Sequence, residues 1–372
     1  MKKIAYVLVI TVTMAGLMFV CPLAGTSKAA WQQDWEKTLT AAKQEGTLRM
    51  YSTAAPGQIG AIRKGLMAAH GINIELISGR GRELRARILS ERRAGLYLAD
   101  IYWGGAPSIF TDFKPVGAID PVKPLLVLPE VVDPQVWYGG RHLYADKDER
   151  YVIALFYFPD LSLVVNTDLV KPEDIKTNSD LLNPKWKGKI VFYDPTTSGP
   201  GRVWFLMVSK ALGYEFMEKF AKQEPVISRT PRQMVEWVAR RKYSVLVAPQ
   251  HASVAEFLKA GAPIRFFSPT DVTYAAMFTV VALMNKAPHP NAAKVFINWL
   301  LTKEGLTICS KAFMLQSTRL DVPTDHLDPI SLRQPGVAYI NSENEEAALE
   351  LSTAVNEAAK IFRLPMPKKK KK

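Results

Sequence analysis

The chain has 372 residues, with 48 Lys and Arg against 35 Asp and Glu, a formal net charge of +13 and only two cysteines. Hydrophobic residues make up 48% and charged residues 22%, a balance that excludes a disordered chain, a collagen-like repeat and a disulfide-stapled miniprotein. The excess charge sits at the ends. Residues 1–29 hold Lys2, Lys3 and Lys28 without any acid, and Lys368 to Lys372 form a run of five, which leaves 40 basic against 35 acidic residues between them. A body at +5 does not carry the basic stripe of a nucleic-acid binder.

At the N-terminus, Met1-Lys2-Lys3 precedes an apolar stretch from Ile4 to Val20, and small residues follow around Ser27, Ala29 and Ala30. This is the layout of a secretory signal peptide over 1–29. A membrane anchor is the alternative, since the apolar run reaches the lower limit for a span. Acylation at Cys21 is a third option, and Val20 before that cysteine fits it poorly. Loss of Cys21 with the signal leaves Cys309 alone, so an internal disulfide is impossible and the exported protein depends on its core. Cys309 itself reads as a small buried hydrophobe.

Beyond residue 30, strands and helices alternate. Trp31 to Glu45 has apolar residues at helical spacing and stops at Gly46; Leu48 to Tyr51 is a strand; Gln58 to His70 is a helix stopped by Gly71. Ser52 and Thr53 are placed to cap that helix. Ile72 to Ile77 is a strand, Glu83 to Ala94 a helix closed by Gly95, and Ala99 to Trp103 a strand that runs into Gly104-Gly105. In the second half, Leu161 to Val165 and Ile190 to Tyr193 are strands, and the latter leads through Asp194-Pro195-Thr196-Thr197-Ser198-Gly199-Pro200-Gly201 into a helix from Arg202 to Leu212. Arg232 to Arg241 is helical, Ser244 to Ala248 a strand, Val272 to Asn285 strand-like, and Asn291 to Leu301 an amphipathic helix. This alternation predicts an α/β fold of two units with largely parallel sheets and a ligand cleft between them.

Candidate ligand residues follow from the loops at strand ends. Ser52 and Thr53 can hold an anionic oxygen or simply cap a helix. Arg80, in a Gly-Arg-Gly turn, can clamp a carboxylate or phosphonate or remain a solvated charge beside Arg82, Arg85 and Arg87. Gly105 ends the third loop. Thr197, Ser198 and Gly199 offer hydroxyls and free N–H groups before a helix. Gln250 and His251 end a strand. Tyr157 and Tyr274 can cover a ligand or pack in the core. Gly79-x-Gly81 lacks the third glycine of a dinucleotide fingerprint.

The chain also resembles an extracellular solute-binding protein of a bacterial ABC importer, in the branch often labelled ferric-iron binding. The resemblance is carried by Ala42-Lys43-Gln44-Glu45-Gly46, Glu91-Arg92-Arg93-Ala94-Gly95 with Ala99-Asp100, Leu128-Pro129-Glu130, and Asn183-Pro184-Lys185-Trp186-Lys187-Gly188-Lys189-Ile190 with Asp194-Pro195. It continues through His289-Pro290-Asn291-Ala292-Ala293-Lys294, Phe296-Ile297-Asn298-Trp299-Leu300-Leu301 and Ser317-Thr318-Arg319-Leu320-Asp321-Val322-Pro323. It implies a two-lobe periplasmic-binding-protein type II fold with a hinge and an interlobe ligand cleft. Lobe one is expected at 30–156 plus 280–315 and lobe two at 157–279 plus 316–367, with 368–372 as a lysine tail. The crossovers are expected near Phe156 to Leu161 and Met277 to Val280. The implied function is a periplasmic, monomeric protein that delivers a small anionic organic ligand to an ABC permease in the inner membrane.

Ferric iron is the alternative ligand within that family. Its iron binders use two adjacent tyrosines, and no two tyrosines are adjacent here, so no metal and no cofactor is expected. The other classes are an exported enzyme and a sensor's ligand-capture subunit. G-x-S-x-G, H-E-x-x-H and P-loop signatures are absent, which speaks against the enzyme.

Overall fold

The computed structural model describes residues 30–159, 162–197, 199–276, 281–337 and 339–365. The expected export signal, Ser198, the lysine tail, and the parts of the two crossovers at 160–161 and 277–280 lie outside the described residues.

The first half runs α1 (Ala30–Glu45), β1 (Thr47–Ser52), α2 (Pro56–His70), β2 (Asn73–Ser78), α3 (Gly81–Arg93), β3 (Ile101–Trp103), α4 (Ala106–Ser108), β4 (Ile119–Asp120) and α5 (Pro129–Val132). Then come β5 (Phe156–Pro159), β6 (Leu163–Asn166), β7 (Ile190–Tyr193), α6 (Pro200–Ala221), β8 (Val226–Ser228), α7 (Pro231–Ala239), β9 (Val245–Val247), α8 (His251–Lys259) and β10 (Ile264–Phe267). The chain ends with β11 (Tyr274–Ala276), β12 (Val281–Met284), α9 (Pro290–Leu300), α10 (Lys303–Phe313), β13 (Gln316–Ser317), β14 (Ile340–Asn341) and α11 (Glu345–Ile361).

Two five-stranded sheets organise these elements. One has the order β2-β1-β3-β12-β4 and the other β10-β6-β9-β7-β8. Between them in sequence lies a four-stranded sheet, β13-β5-β11-β14. The chain leaves the first large sheet through β5 into β6 and returns through β11 into β12, so both passages run through the small sheet. There β5 and β11 pair antiparallel, Ala275 opposite Pro159 and Ala276 opposite Phe158.

The large sheets are mixed rather than largely parallel, and the passages explain it. β1 is parallel to β2 and β3, and β7 is parallel to β8 and β9. β12 and β6, which arrive from the small sheet, run against β3 and β9, with Val281 opposite Trp103 and Leu163 opposite Val247. A strand entering at the edge where its neighbours end must be antiparallel to them. The carboxyl ends of β1, β3, β7 and β9 therefore all lie at the edge from which the small sheet is reached.

Each large sheet carries its own core. Trp35, Met50, Ile62, Trp103, Phe296 and Trp299 fill the first, with α1 laid against α9. Leu163, Phe192, Trp204, Phe205, Met217 and Phe220 fill the second. The second core also takes Ala354 and Ala358 from α11, which packs along α6. The other end of α11 reaches the first unit. Lys114 Nζ lies 2.7 Å from Glu345 Oε2, and Lys147 N donates to the same oxygen at 2.9 Å.

Several boundaries differ from expectation. The stretch 272–285 is not one strand but two, β11 and β12, in different sheets, because an apolar run does not reveal that the chain changes sheet. α6 extends past Leu212, with a break at Gly213 (φ 82°, ψ 165°). α2 starts at Pro56 and is preceded by Ala55, so neither Ser52 nor Thr53 caps it. Cys309 is fully buried, and burial pushes its thiol pKa up. Arg319, also buried, bonds Asp321, the Glu130 carbonyl and the Leu301 carbonyl, which is a packing role.

Candidate functional site

Three loops of the first sheet meet at its carboxyl edge. Ser52 is buried, and its Oγ accepts a hydrogen bond from Ala54 N at 3.0 Å, closing a local turn. Thr53 N and Oγ1 both donate to the Trp103 carbonyl, at 2.9 and 3.5 Å. Gly79 N donates to the Ser52 carbonyl at 3.2 Å. Arg80 is the N-cap residue of α3, whose start at Gly81 lies two positions earlier than expected. Its backbone N–H donates to Glu83 Oε2, while its exposed guanidinium joins no ion pair among the described residues. Arg85 and Arg87, by contrast, are held by Asp112 and Glu91. Gly105 caps only the short turn α4.

Beneath these loops stands Tyr102, which the sequence reading did not single out. Its side chain is fully buried and packs edge-on against Phe113 at 4.9 Å. A side chain at Gly104 would overlap its hydroxyl, and one at Gly81 would come within 3.9 Å of it. That hydroxyl has no hydrogen-bond partner among the described residues. Burial raises its pKa, and Ser108 stands near enough to oppose that rise. Tyr102→Phe is expected to leave the free protein as stable as wild type, or up to about 1 kcal/mol more stable. Urea unfolding checks this; a loss above about 2 kcal/mol would mean that the hydroxyl is already bonded.

In the second sheet, Asp194 organises the loop after β7. Its carboxylate accepts from Thr196 N (2.7 Å), Thr196 Oγ1 (2.6 Å) and Arg229 Nε (2.6 Å). Thr197 spends its hydroxyl on the Asp194 carbonyl at 3.0 Å. Gly199 adopts φ 147° and ψ −174°, a conformation essentially reserved for glycine. A side chain on Gly201 would overlap the Tyr193 carbonyl. Gln250 is the exposed N-cap residue of α8, and its Oε1 accepts from Ser253 Oγ at 3.4 Å. His251 has its ring between Phe158 (4.6 Å) and Phe266 (4.8 Å), spanning the small sheet and the second large one.

Tyr157 and Tyr274 lie within the small sheet and are almost fully buried. The Tyr157 ring meets Tyr339 edge-on at 5.3 Å, and burial with the neighbouring phenol raises its pKa. These positions suit packing between the passages. The topology thus sets Thr53, Arg80 and Gly105 on one sheet edge and Thr197, Gly199, Gln250 and His251 on the other, with Tyr157 and Tyr274 between. Among the described residues, no group of three or more His, Cys, Asp or Glu side chains could hold a metal ion.

The sequence reading missed a charged pair as well. Arg202 occupies the first turn of α6, and Glu343 lies in the turn between β14 and α11. Burial raises the Glu343 carboxyl to about 7, against the pull of Arg202, and burial lowers the Arg202 pKa. No motif marks either residue, since they come from opposite ends of the second unit's sequence.

The profile of the bacterial extracellular solute-binding protein family matches residues 58–315, and the chain belongs to that family. Its fold is similar to that of the periplasmic binding protein AfuA from Actinobacillus pleuropneumoniae, solved with fructose 6-phosphate (18% identity, TM-score 0.61, covering 86% of this chain and 100% of that one). It is also similar to a Trichodesmium protein solved with iron and citrate (17%, TM-score 0.65, 85% and 99%) and to iron-bound HitA from Pseudomonas aeruginosa (19%, TM-score 0.58, 85% and 99%). Likeness at such identity speaks to the two-lobe α/β fold. An uncharacterized Haemophilus influenzae protein is 24% identical over 221 residues, which span 57% of this chain and 61% of that protein. Among the described residues, no helix is long and apolar enough to cross a membrane.

Proposed function

We propose that the chain is the substrate-binding component of a bacterial ABC importer. It traps a small anionic organic ligand between two lobes and hands it to a membrane permease. In this reading lobe one comprises 30–156 plus 280–315, lobe two comprises 157–279 plus 316–367, and residues 1–29 direct export to the periplasm. The observation that carries it is the convergence of polar loops from both large sheets at the edge reached from the small sheet. Differential affinity for the closed arrangement would select the form that the permease recognises. The uncommitted guanidinium of Arg80 and the α3 N-terminus favour an anion.

A second reading, ferric iron, is favoured by the spatial pairing of the Tyr157 and Tyr339 phenols. Against it, burial raises the Tyr157 pKa still further above its ordinary value, which opposes the phenolate that ferric iron would need. A thermal-shift panel of small organic anions and ferric citrate separates the two. A cognate ligand at 100 times its Kd should stabilise the protein by about 2.7 kcal/mol. A response to ferric citrate alone would overturn the organic-anion reading. Recovery of a chemically altered ligand, read by mass spectrometry, would overturn binding without turnover.

A further inference from the structure

Arg202 and Glu343 have properties that ordinary packing does not explain. Both side chains keep intermediate exposure, yet burial shifts both of their pKa values. The two attract one another electrostatically, but they form no salt bridge within 4 Å and no side-chain hydrogen bond among the described residues. Arg202 Nε is buried without a partner. Elsewhere in this region charges are matched: Lys114 with Glu345 and Asp148, and Lys210 with Glu346 and Glu350.

Their place in the fold is specific. Arg202 is in the first turn of α6, directly after the loop that Asp194 organises. Glu343 follows β14 of the small sheet, its N–H donating to Asn341 Oδ1 at 2.9 Å. Two residues later Glu345 N donates to the Ala145 carbonyl of the first unit. The pair therefore stands where the second sheet's ligand loop, the small sheet and the first unit come together. A buried guanidinium N–H without an acceptor costs free energy that an incoming anionic oxygen would recover. A bridging group must present an acceptor to the guanidinium and a donor to the carboxylate.

We infer that Arg202 and Glu343 are ligand-binding residues that read an anionic group with a hydroxyl or ammonium close beside it, a hydroxylated organic anion rather than a simple one. This inference rests on the solute-binding reading of the same cleft and narrows its substrate class.

The test compares two probes that differ only in hydroxyl groups, glycerol 3-phosphate and propyl phosphate, with citrate as a third anion, by isothermal titration calorimetry. Wild type is expected to bind glycerol 3-phosphate at least tenfold more tightly than propyl phosphate. Glu343→Gln should erase most of that preference, and Arg202→Met should weaken both phosphates at least tenfold. Arg202→Lys, which keeps the charge but loses the fork, should fall between them. Melting curves of the variants without ligand check that each is folded. An anion bound equally by wild type and by folded Arg202→Met and Glu343→Gln would overturn the inference while leaving the solute-binding reading intact. Failure of wild type to bind any of the three anions, with ferric citrate binding, would overturn the anionic reading and this inference together.

Discussion

Replacing Gly201 by alanine is expected to destabilise the protein by about 3 kcal/mol, a drop of roughly 6–12 °C in the melting temperature of the affected unit. The new methyl group would overlap the Tyr193 carbonyl and crowd the Asp194 carbonyl at 3.1 Å. Both obstacles are main chain, so no side-chain rotation relieves them. Retreat would have to separate β7 from the start of α6, and that movement carries Asp194, Thr197 and Arg202 with it. Ligand binding should weaken along with stability. Gly57→Ala is the matching control. Gly57 lies in α2 with nothing within 4 Å of the added carbon, and alanine there should gain about 0.5–1 kcal/mol. Equal melting of the two variants would show that the close approach at Gly201 is not required.

The second large effect is a pH dependence. Glu343 titrates at about 7 in the folded protein and near 4.3 in an unfolded chain. Between these values the folded state holds a proton that the unfolded state has released. Stability from this group is therefore fully present below about pH 4.3, falls as pH rises toward 7, and is flat above. The full span corresponds to about 3–4 kcal/mol. Glu343→Gln should remove that slope, leaving a variant as stable as wild type in acid and more stable at neutral pH. Urea unfolding at pH 5 and pH 8 measures it. Parallel profiles for wild type and variant would mean that Glu343 is ionised and solvated throughout.

Part of the strand and helix order could be read from the sequence because local signals coincided. Gly46, Gly71 and Gly95 were expected as helix stops, and all three adopt positive φ, at 64°, 70° and 76°. The apolar spacing of Trp35 and Ala42, and of Phe296, Trp299 and Leu300, corresponds to buried helix faces. Where local signals were silent, expectation failed. Nothing in the run from Val272 to Asn285 announces that its two strands belong to different sheets. Ser52 has an N-cap residue's chemistry, yet Pro56 fixes the helix start and the hydroxyl turns to Ala54 instead. Tyr102 was hidden because alternation marks it as core, and only packing shows that its hydroxyl meets Gly104. Arg202 and Glu343 acquire meaning only from the small sheet and α11, which bring distant segments together. The nearness of Tyr157 to Tyr339 is of the same kind. The sequence excludes adjacent tyrosines, but not neighbours in space.

The small sheet has a mechanical consequence. Two separate tethers between bodies permit swivelling, splaying and sliding. Here both passages are hydrogen-bonded side by side and flanked by β13 and β14, so relative movement must deform a ladder four strands wide. Such a ladder bends and twists as one ribbon and resists shear between its strands, because sliding would break its hydrogen bonds. Motion is thereby confined to few directions, with an elastic restoring force supplied by the backbone rather than by contacts between the two bodies.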